Sequence, residues 1–151
     1  MMVKKVMVKD VICLTPDMTF LSVAKLFLKH KISGAPVTNH DGELVGILSE
    51  KDLFRAMYPS YKDFYDDPTP FTRIEKLEET AKDAREKTVN EIMVKKVIST
   101  TPDTHILKIG ALMVATGIHQ VPVLNKGKIV GMVSRGTIHR AVLQFSFPEL
   151  R

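Results

Sequence analysis

The residues best placed to do chemistry lie in Gly46-Ile47-Leu48-Ser49-Glu50-Lys51-Asp52. The apolar start reads as the end of a buried strand, and the polar finish as the first turn of a helix. Such a junction gathers backbone N–H groups and the positive end of a helix dipole, which suits an anion such as a phosphate. Ser49 adds a hydroxyl there, and Asp52 adds an acceptor pair matched to a ribose diol. A plainer reading competes. Ser49-x-x-Asp52 ahead of Leu53-Phe54 also has the form of a capping box, with Asp in place of the usual Glu or Gln.

The chain contains this stretch twice. Leu44-Val45-Gly46-Ile47-Leu48-Ser49 returns as Ile129-Val130-Gly131-Met132-Val133-Ser134, a shift of 85. Thr15-Pro16-Asp17 returns as Thr101-Pro102-Asp103, and Ala35-Pro36-Val37 as Val121-Pro122-Val123, both at a shift of 86. One residue is lost where Asn39-His40-Asp41-Gly42-Glu43 becomes Asn125-Lys126-Gly127-Lys128. Shared order, spacing and residue type mark an internal duplication.

The elements that must position these junctions follow the same order in both copies. A short strand, Val11–Leu14 or Val97–Thr100, ends at Thr-Pro. Thr19 or Thr104 caps a helix, with Leu21, Ala24, Phe27 and Leu28 as the apolar face in one copy and Leu107, Ala111 and Val114–Ala115 in the other. A second strand, Ala35–Thr38 or Val121–Leu124, turns at Asp41-Gly42 or Lys126-Gly127 into a third, Leu44–Leu48 or Ile129–Val133. A last helix starts at Ser49 or Ser134. The fold class is therefore α/β (α+β): two tandem β-α-β-β-α repeats packed about a pseudo-two-fold axis, with small mixed sheets and helices on one side. The boundaries are 1–57 for the first repeat, 58–90 for a connector and 91–151 for the second repeat, the two forming one module. The connector holds Tyr58, Tyr61 and Tyr65, the chain's three tyrosines, beside Phe64 and Phe71. Its latter part, Thr72–Lys87, reads as a charged helix with a stripe of Ile74, Leu77, Ala81 and Ala84. That helix is either a solvated element packed by one edge or part of a protein contact surface.

Composition narrows the classes. No run of about 18 apolar residues is present, which speaks against a membrane span. The leading residues lack the apolar core of a signal peptide. The single Cys13 excludes an internal disulfide and a cysteine-based zinc site; it fits a reducing cytoplasm and is expected to be a small buried strand residue. The five histidines show no metal-ligand spacing. The net charge of +5 is uneven: residues 59–91 carry six Lys/Arg against nine Asp/Glu, which leaves +8 on the rest. A basic body favours anionic ligands. Arg-rich tails and aromatic stacking patterns are missing, so nucleic acid is not the expected partner.

The duplicated unit resembles the CBS domain, and two in tandem resemble a CBS pair, or Bateman module. The markers are Val6-Met7 and Ile92-Met93 before the first strands, Ile32-Ser33-Gly34-Ala35-Pro36-Val37 and Ile118-His119-Gln120-Val121-Pro122-Val123, and the Gly-x-x-Ser junctions. The resemblance covers 6–57 and 91–143. It implies a regulatory module that is not an enzyme and that binds an adenosine compound (AMP, ADP, ATP or S-adenosylmethionine) in clefts built crosswise from the two repeats. One cleft would use Ser49, Lys51 and Asp52 with Met93, Ile98, Ile118, His119 and Pro122. There Asp52 accepts from ribose, Ser49 and local N–H groups meet a phosphate, and Ile98 and Ile118 hold adenine. His119 either reaches a phosphate or sits satisfied at the rim. The other cleft would use Met7, Ile12, Ile32, Ser33 and Pro36 with Ser134, Arg135 and Thr137. Thr137 stands where the family has its ribose-binding Asp, so this cleft is expected to bind weakly or stay empty.

The resemblance further implies a homodimer formed through helices, for which the Phe20/Phe27 and Leu107/Met113 faces are candidates unless they are core. Ligand occupancy would then change the geometry between repeats or chains and reach a separate target protein. Two alternatives stand beside this: a structural interaction module with vestigial clefts, and a polyanion binder using the basic body.

Overall fold

The computed structural model describes residues 1–151, the side chain of Pro70 excepted. Its elements in order are α1 (Phe20–His30), β1 (Gly34–Thr38), β2 (Leu44–Ser49), α2 (Glu50–Ala56), α3 (Tyr61–Asp66), α4 (Thr69–Thr72), α5 (Ile74–Asp83), α6 (Val89–Ile92), α7 (Ile106–Thr116), β3 (Gln120–Asn125), β4 (Lys128–Ser134) and α8 (Arg135–Ser146). Single 3-10 turns lie at Val3–Lys5, Ala84–Glu86 and Pro148–Leu150. β1 pairs with β2, and β3 pairs antiparallel with β4. Lys126 and Gly127, with φ of 52° and 77°, make the tight turn between β3 and β4. Two positive φ values in a two-residue loop suit the right-handed twist of the flanking strands.

The chain forms two compact units, and neither is one contiguous repeat. The terminal unit comprises Met1–Ile12, His40–Leu44 and Lys96–Arg151; the middle unit comprises Cys13–Asn39 and Val45–Lys95. The leading segments are exchanged between the repeats. In the terminal unit, Val3 donates to the Thr104 carbonyl (2.8 Å), and Val8 and Met132 exchange both backbone hydrogen bonds at 2.9 Å. In the middle unit, Val89 donates to Met18 (2.8 Å), and Val94 and Ile47 exchange theirs at 2.9 Å. Met7 and Met93 cross the strands at glycines. A Cβ on Gly131 would stand 2.6 Å from Met7 Sδ and 3.0 Å from the Val8 carbonyl, and one on Gly46 would overlap Met93. Those glycines are required because a neighbouring backbone lies against them.

Each unit has its own core. Leu14, Phe20, Val23, Phe27, Val37, Leu48, Leu53, Ala84 and Val89 are buried in the middle unit. Val3, Ile106, Ile109, Met113, Val121, Val123, Val133, Ile138 and Ala141 are buried in the terminal unit. Val3 and Val89 are fully enclosed. They stand at equivalent places in the two leading segments.

Several expectations are corrected. The first strands shrink to one-residue bridges, Leu14 parallel to Val37 and Thr100 parallel to Val123, because each is cut short by the following Thr-Pro. The apolar stripe of α1 is Phe20, Val23 and Phe27, while Leu21 and Leu28 are exposed. The stripe of α7 is Ile106, Ile109 and Met113, while Leu107, Ala111, Val114 and Ala115 are exposed. Phe20, Phe27 and Met113 are thus core residues. Thr19 caps α1 by accepting from Ser22 N–H at 3.2 Å, but α7 is capped by His105, whose ring accepts from Leu107 N–H at 3.3 Å. The Thr104 hydroxyl pairs with Thr101 instead. Cys13 is exposed, not buried, since Leu14 takes the inward position beside it. Partial desolvation still raises the pKa of its thiol. The span Thr72–Lys87 breaks at Arg73, where the backbone is extended, and its buried anchor is Ala84 alone.

Candidate ligand-binding junctions

Each junction is built by a hairpin whose second strand runs directly into a helix. In the terminal unit the β3–β4 register sets Gln120 opposite Ser134. That places His119 at the start of α8, where its carbonyl accepts from Arg135 N–H at 2.8 Å. In the middle unit the Ser33 carbonyl accepts from Glu50 N–H at 2.9 Å. The segment before each Pro-Val strand therefore meets the junction of its own repeat and consumes the first N–H of the following helix. That donor is not free for a phosphate.

At the first junction Asp52 is buried, with 8% of its surface exposed. Its Oδ2 accepts from the Ser49 backbone N–H (2.9 Å) and from the Ser49 hydroxyl (3.0 Å). The capping reading of Ser49-x-x-Asp52 is thus correct. The carboxylate is also locked in orientation, because two donors fix one oxygen. Lys51 on the same turn is exposed. Met93 packs on this unit's core and crosses Gly46, three residues before Ser49.

The second junction has the same frame and different chemistry. The Ser134 hydroxyl donates to Thr137 Oγ1 at 3.1 Å and accepts from Thr137 N–H at 3.3 Å. A neutral hydroxyl replaces the carboxylate, so the charge and the second acceptor are both lost. Arg135 is exposed, and Met7 crosses Gly131 as Met93 crosses Gly46.

The remaining residues separate into framework and surface. Pro36 and Pro122 are buried, and their carbonyls accept the bridges from Leu14 and Thr100 at 2.9 Å. Ile12, Ile32 and Ile118 are half-buried; Ile32 and Ile118 pack on the cores of their own units. Ile98, Ser33 and His119 are exposed. The structure thus brings Ser49, Asp52, Ser33 and Met93 together in the middle unit, and Ser134, Arg135, Thr137, His119 and Met7 together in the terminal unit. Residue type and local spacing alone did not reveal the exchange of leading segments. The signal was Val3-x-x-Val6-Met7-Val8 repeated as Val89-x-x-Ile92-Met93-Val94.

Among the described residues no group of three or more His, Cys, Asp or Glu is placed to hold a metal. No described helix is long and apolar enough to cross a membrane.

Comparison with known proteins gives a consistent picture. A family model described as CBS domain matches residues 3–59 and 89–144. The chain is 36% identical over 155 residues to protein MJ1426 of Methanocaldococcus jannaschii, covering 95% of this chain and 92% of that protein. Of two longer relatives it spans 39% and 61%. Among solved structures, it is similar to the CBS domain pair of MJ0100 in complex with 5′-methylthioadenosine and S-adenosyl-L-methionine. That likeness has a TM-score of 0.73 and 25% identity, over 94% of this chain and 99% of the other. It is also similar in fold to CBSX2 in complex with AMP, with a TM-score of 0.71 and 23% identity over 96% and 98% of the two chains.

Proposed function

Because this chain belongs to the CBS-domain family, with two copies at 3–59 and 89–144, we propose that it is a regulatory module for an adenosine compound. AMP, ADP, ATP and S-adenosylmethionine are the candidate class. The module acts by binding and not by catalysis, and it passes occupancy to a separate target protein. The observation that carries this reading is the Asp52 carboxylate. It is buried at the mouth of a strand–helix junction, and its Oδ2 is held by both Ser49 donors. Its Oδ1 is left to accept a ribose diol. Two relatives in fold hold AMP, or methylthioadenosine and S-adenosylmethionine, and that class of ligand presents such a diol.

The two junctions are unequal in this reading. Asp52 grips ribose, Lys51 lies on the same turn for a phosphate, and the Thr137 junction binds weakly or not at all. A ligand changes the module only by its differential affinity for two conformations. The working assembly is a homodimer that covers the exposed apolar residues of α1 and α7, Leu21, Leu28, Leu107 and Val114.

A second reading is a structural interaction module with vestigial clefts. The saturated cap at Ser49 and the missing carboxylate at Thr137 favour it. Calorimetric titration with AMP, ATP and S-adenosylmethionine, on wild type and on folded Asp52→Ala, separates the two. Binding near one equivalent per chain that vanishes in the variant supports the sensor. No heat with any ligand, in protein shown free of carried-over nucleotide, refutes it.

A further inference from the structure

Residues 60–88 lie outside both matched copies of the family's repeat, so the common fold does not call for them. The segment is nevertheless firmly rooted. Ala84 is fully buried, Ala56 and Met57 pack on the core of the middle unit, and Lys87 Nζ donates to the Ala56 carbonyl at 3.4 Å. Beyond that root, α3 and α5 bury no residue of their own. Six of the chain's ten aromatic residues nonetheless lie between Phe54 and Phe71. Phe54, Tyr61 and Tyr65 are 64%, 74% and 68% exposed, and Tyr58 and Phe64 are 42% and 41% exposed. The rings stack on one another, Phe54 on Tyr58 at 5.0 Å, Tyr61 on Tyr65 at 4.9 Å and Phe64 on Phe71 at 4.9 Å between centroids. At about 150–250 Å² for a whole aromatic side chain, the exposed parts of the first five come to roughly 400–700 Å². The largest apolar patch of a monomer is about 300–600 Å² and is often functional.

The border of this patch is acidic in a chain of net charge +5: from Ser60 to Thr80 there are six Asp or Glu against three Lys or Arg. Hydrogen bonds with Ser60 and Thr69 hold the Asp63 and Asp67 carboxyls below the usual range, so both are charged at neutral pH. Glu79 pairs with Lys76 at 3.6 Å, while Asp66, Glu75 and Glu78 are exposed and form no ion pair among the described residues. One helix joins the patch to the ligand-binding junction. α2 starts after Ser49, holds Asp52 buried in its first turn and presents Phe54 two residues later; Tyr58 follows just past its end. A helix of seven residues moves as a unit, so a shift of the Asp52 turn also shifts the first ring of the patch.

We infer that the Phe54–Ile74 lobe is the surface by which the module holds its target protein, and that the target presents there a segment in which Arg or Lys alternates with apolar side chains. This rests on the target-protein reading of the preceding section and gives that target its chemistry. Apolar side chains of the segment cover the rings and the exposed Ile74. Guanidinium groups lie on exposed Tyr and Phe faces and pair with carboxylates through two parallel hydrogen bonds. The same negative border disfavours an anionic bilayer or a nucleic acid. Like charge opposes the lobe of a second copy.

Selection from a phage-displayed library of short random peptides tests this, with immobilised wild type as bait and Tyr61→Ser/Tyr65→Ser as counter-selection. Both tyrosines are exposed, so the double variant disturbs no core. Enriched peptides are expected to combine several Arg or Lys with apolar residues. A synthetic copy of the most enriched peptide is expected to bind about tenfold more weakly to the double variant. Asp66→Lys keeps every ring and is expected to weaken the same peptide about fivefold. No enrichment, enriched peptides that lack basic residues, or equal binding by the variants overturns the docking surface. Titration of the same proteins with AMP and S-adenosylmethionine separates the two readings. Ligand heat with no basic peptide removes the lobe and leaves the sensor; basic-peptide binding without ligand heat keeps the lobe as the contact of a structural interaction module.

Discussion

Val3→Ala is the sharpest test of the exchanged architecture. Val3 is fully buried and sits among Ile106, Ile109, Val121 and Ile138, about a hundred residues away in sequence. Removing two methyl groups forfeits about 1.6 kcal/mol of burial at roughly 0.8 kcal/mol per group. The unfilled space raises the cost to about 2–3 kcal/mol. With a urea m value of about 2 kcal/mol/M, the unfolding midpoint falls by roughly 1 M or slightly more. The size of the loss does not identify the architecture, but its location does. Native-state hydrogen exchange read by mass spectrometry is expected to show faster exchange in residues 96–146, with 13–39 unchanged. Val89→Ala, equally buried, is expected to do the reverse and loosen 13–39 and 45–57. If Val3→Ala loosens 13–39 while 96–146 stays protected, the assignment of the leading segments is wrong.

Glycine substitutions separate two kinds of position. Gly131→Ala drives a Cβ against Met7 and the Val8 carbonyl and is expected to cost about 1–3 kcal/mol in urea unfolding. Gly110→Ala in α7 meets Val142 Cγ2 at 3.6 Å and Ile138 Cγ2 at 3.9 Å, both ordinary contacts, so helix propensity dominates and the change gains about 0.5–1 kcal/mol. Lys31 ends α1 with φ of 51°, where Gly117 ends α7 with φ of 72°. Lys31→Gly is therefore expected to raise the melting temperature by a few degrees, against the usual cost of glycine. Asp63 has a lowered pKa through its hydrogen bonds to the Ser60 side chain first and backbone second. A depressed carboxyl pKa stabilises the fold above the unfolded value and loses that contribution as pH falls through the folded value. Ser60→Ala is expected to move the Asp63 midpoint upward in an NMR titration; an unchanged midpoint refutes the assignment of its cause.

The repeats were legible because turn residues and apolar runs recur at fixed spacing, and the hairpins and junction helices form where those patterns lie. Helix faces were not. α1 carries Phe20, Val23 and Phe27 on one side and Leu21 and Leu28 on another, so spacing alone offers two stripes and packing chooses between them. The leading segments were visible as a repeat, yet local pattern holds no record of which strand they join; that depends on hydrogen bonds such as Val8 to Met132. At the junction, Ser49-x-x-Asp52 supported both a cap and a ligand group, the cap more strongly when that stretch is read alone. The structure shows the cap directly, and the cap itself orients the carboxylate on which the proposed ribose contact depends. The loss of that carboxylate at Thr137 could be read from residue type alone.

The exchange also has a consequence for how the chain is made. Every segment of the middle unit, 13–39 and 45–95, is synthesised before residues 96–151 of the terminal unit, so the middle unit has all its parts first. The terminal unit does not. Its opening residues appear first, yet Lys4 waits for Asp103, 99 residues later, and Val8 waits for Met132. Val3 and Val6 therefore wait for Ile106, Ile109, Val121 and Ile138, made about a hundred residues later, before their core can form. Folding is ordered in time by the wiring: the middle unit forms early through contacts of shorter reach, and the terminal unit closes late through contacts that span most of the chain.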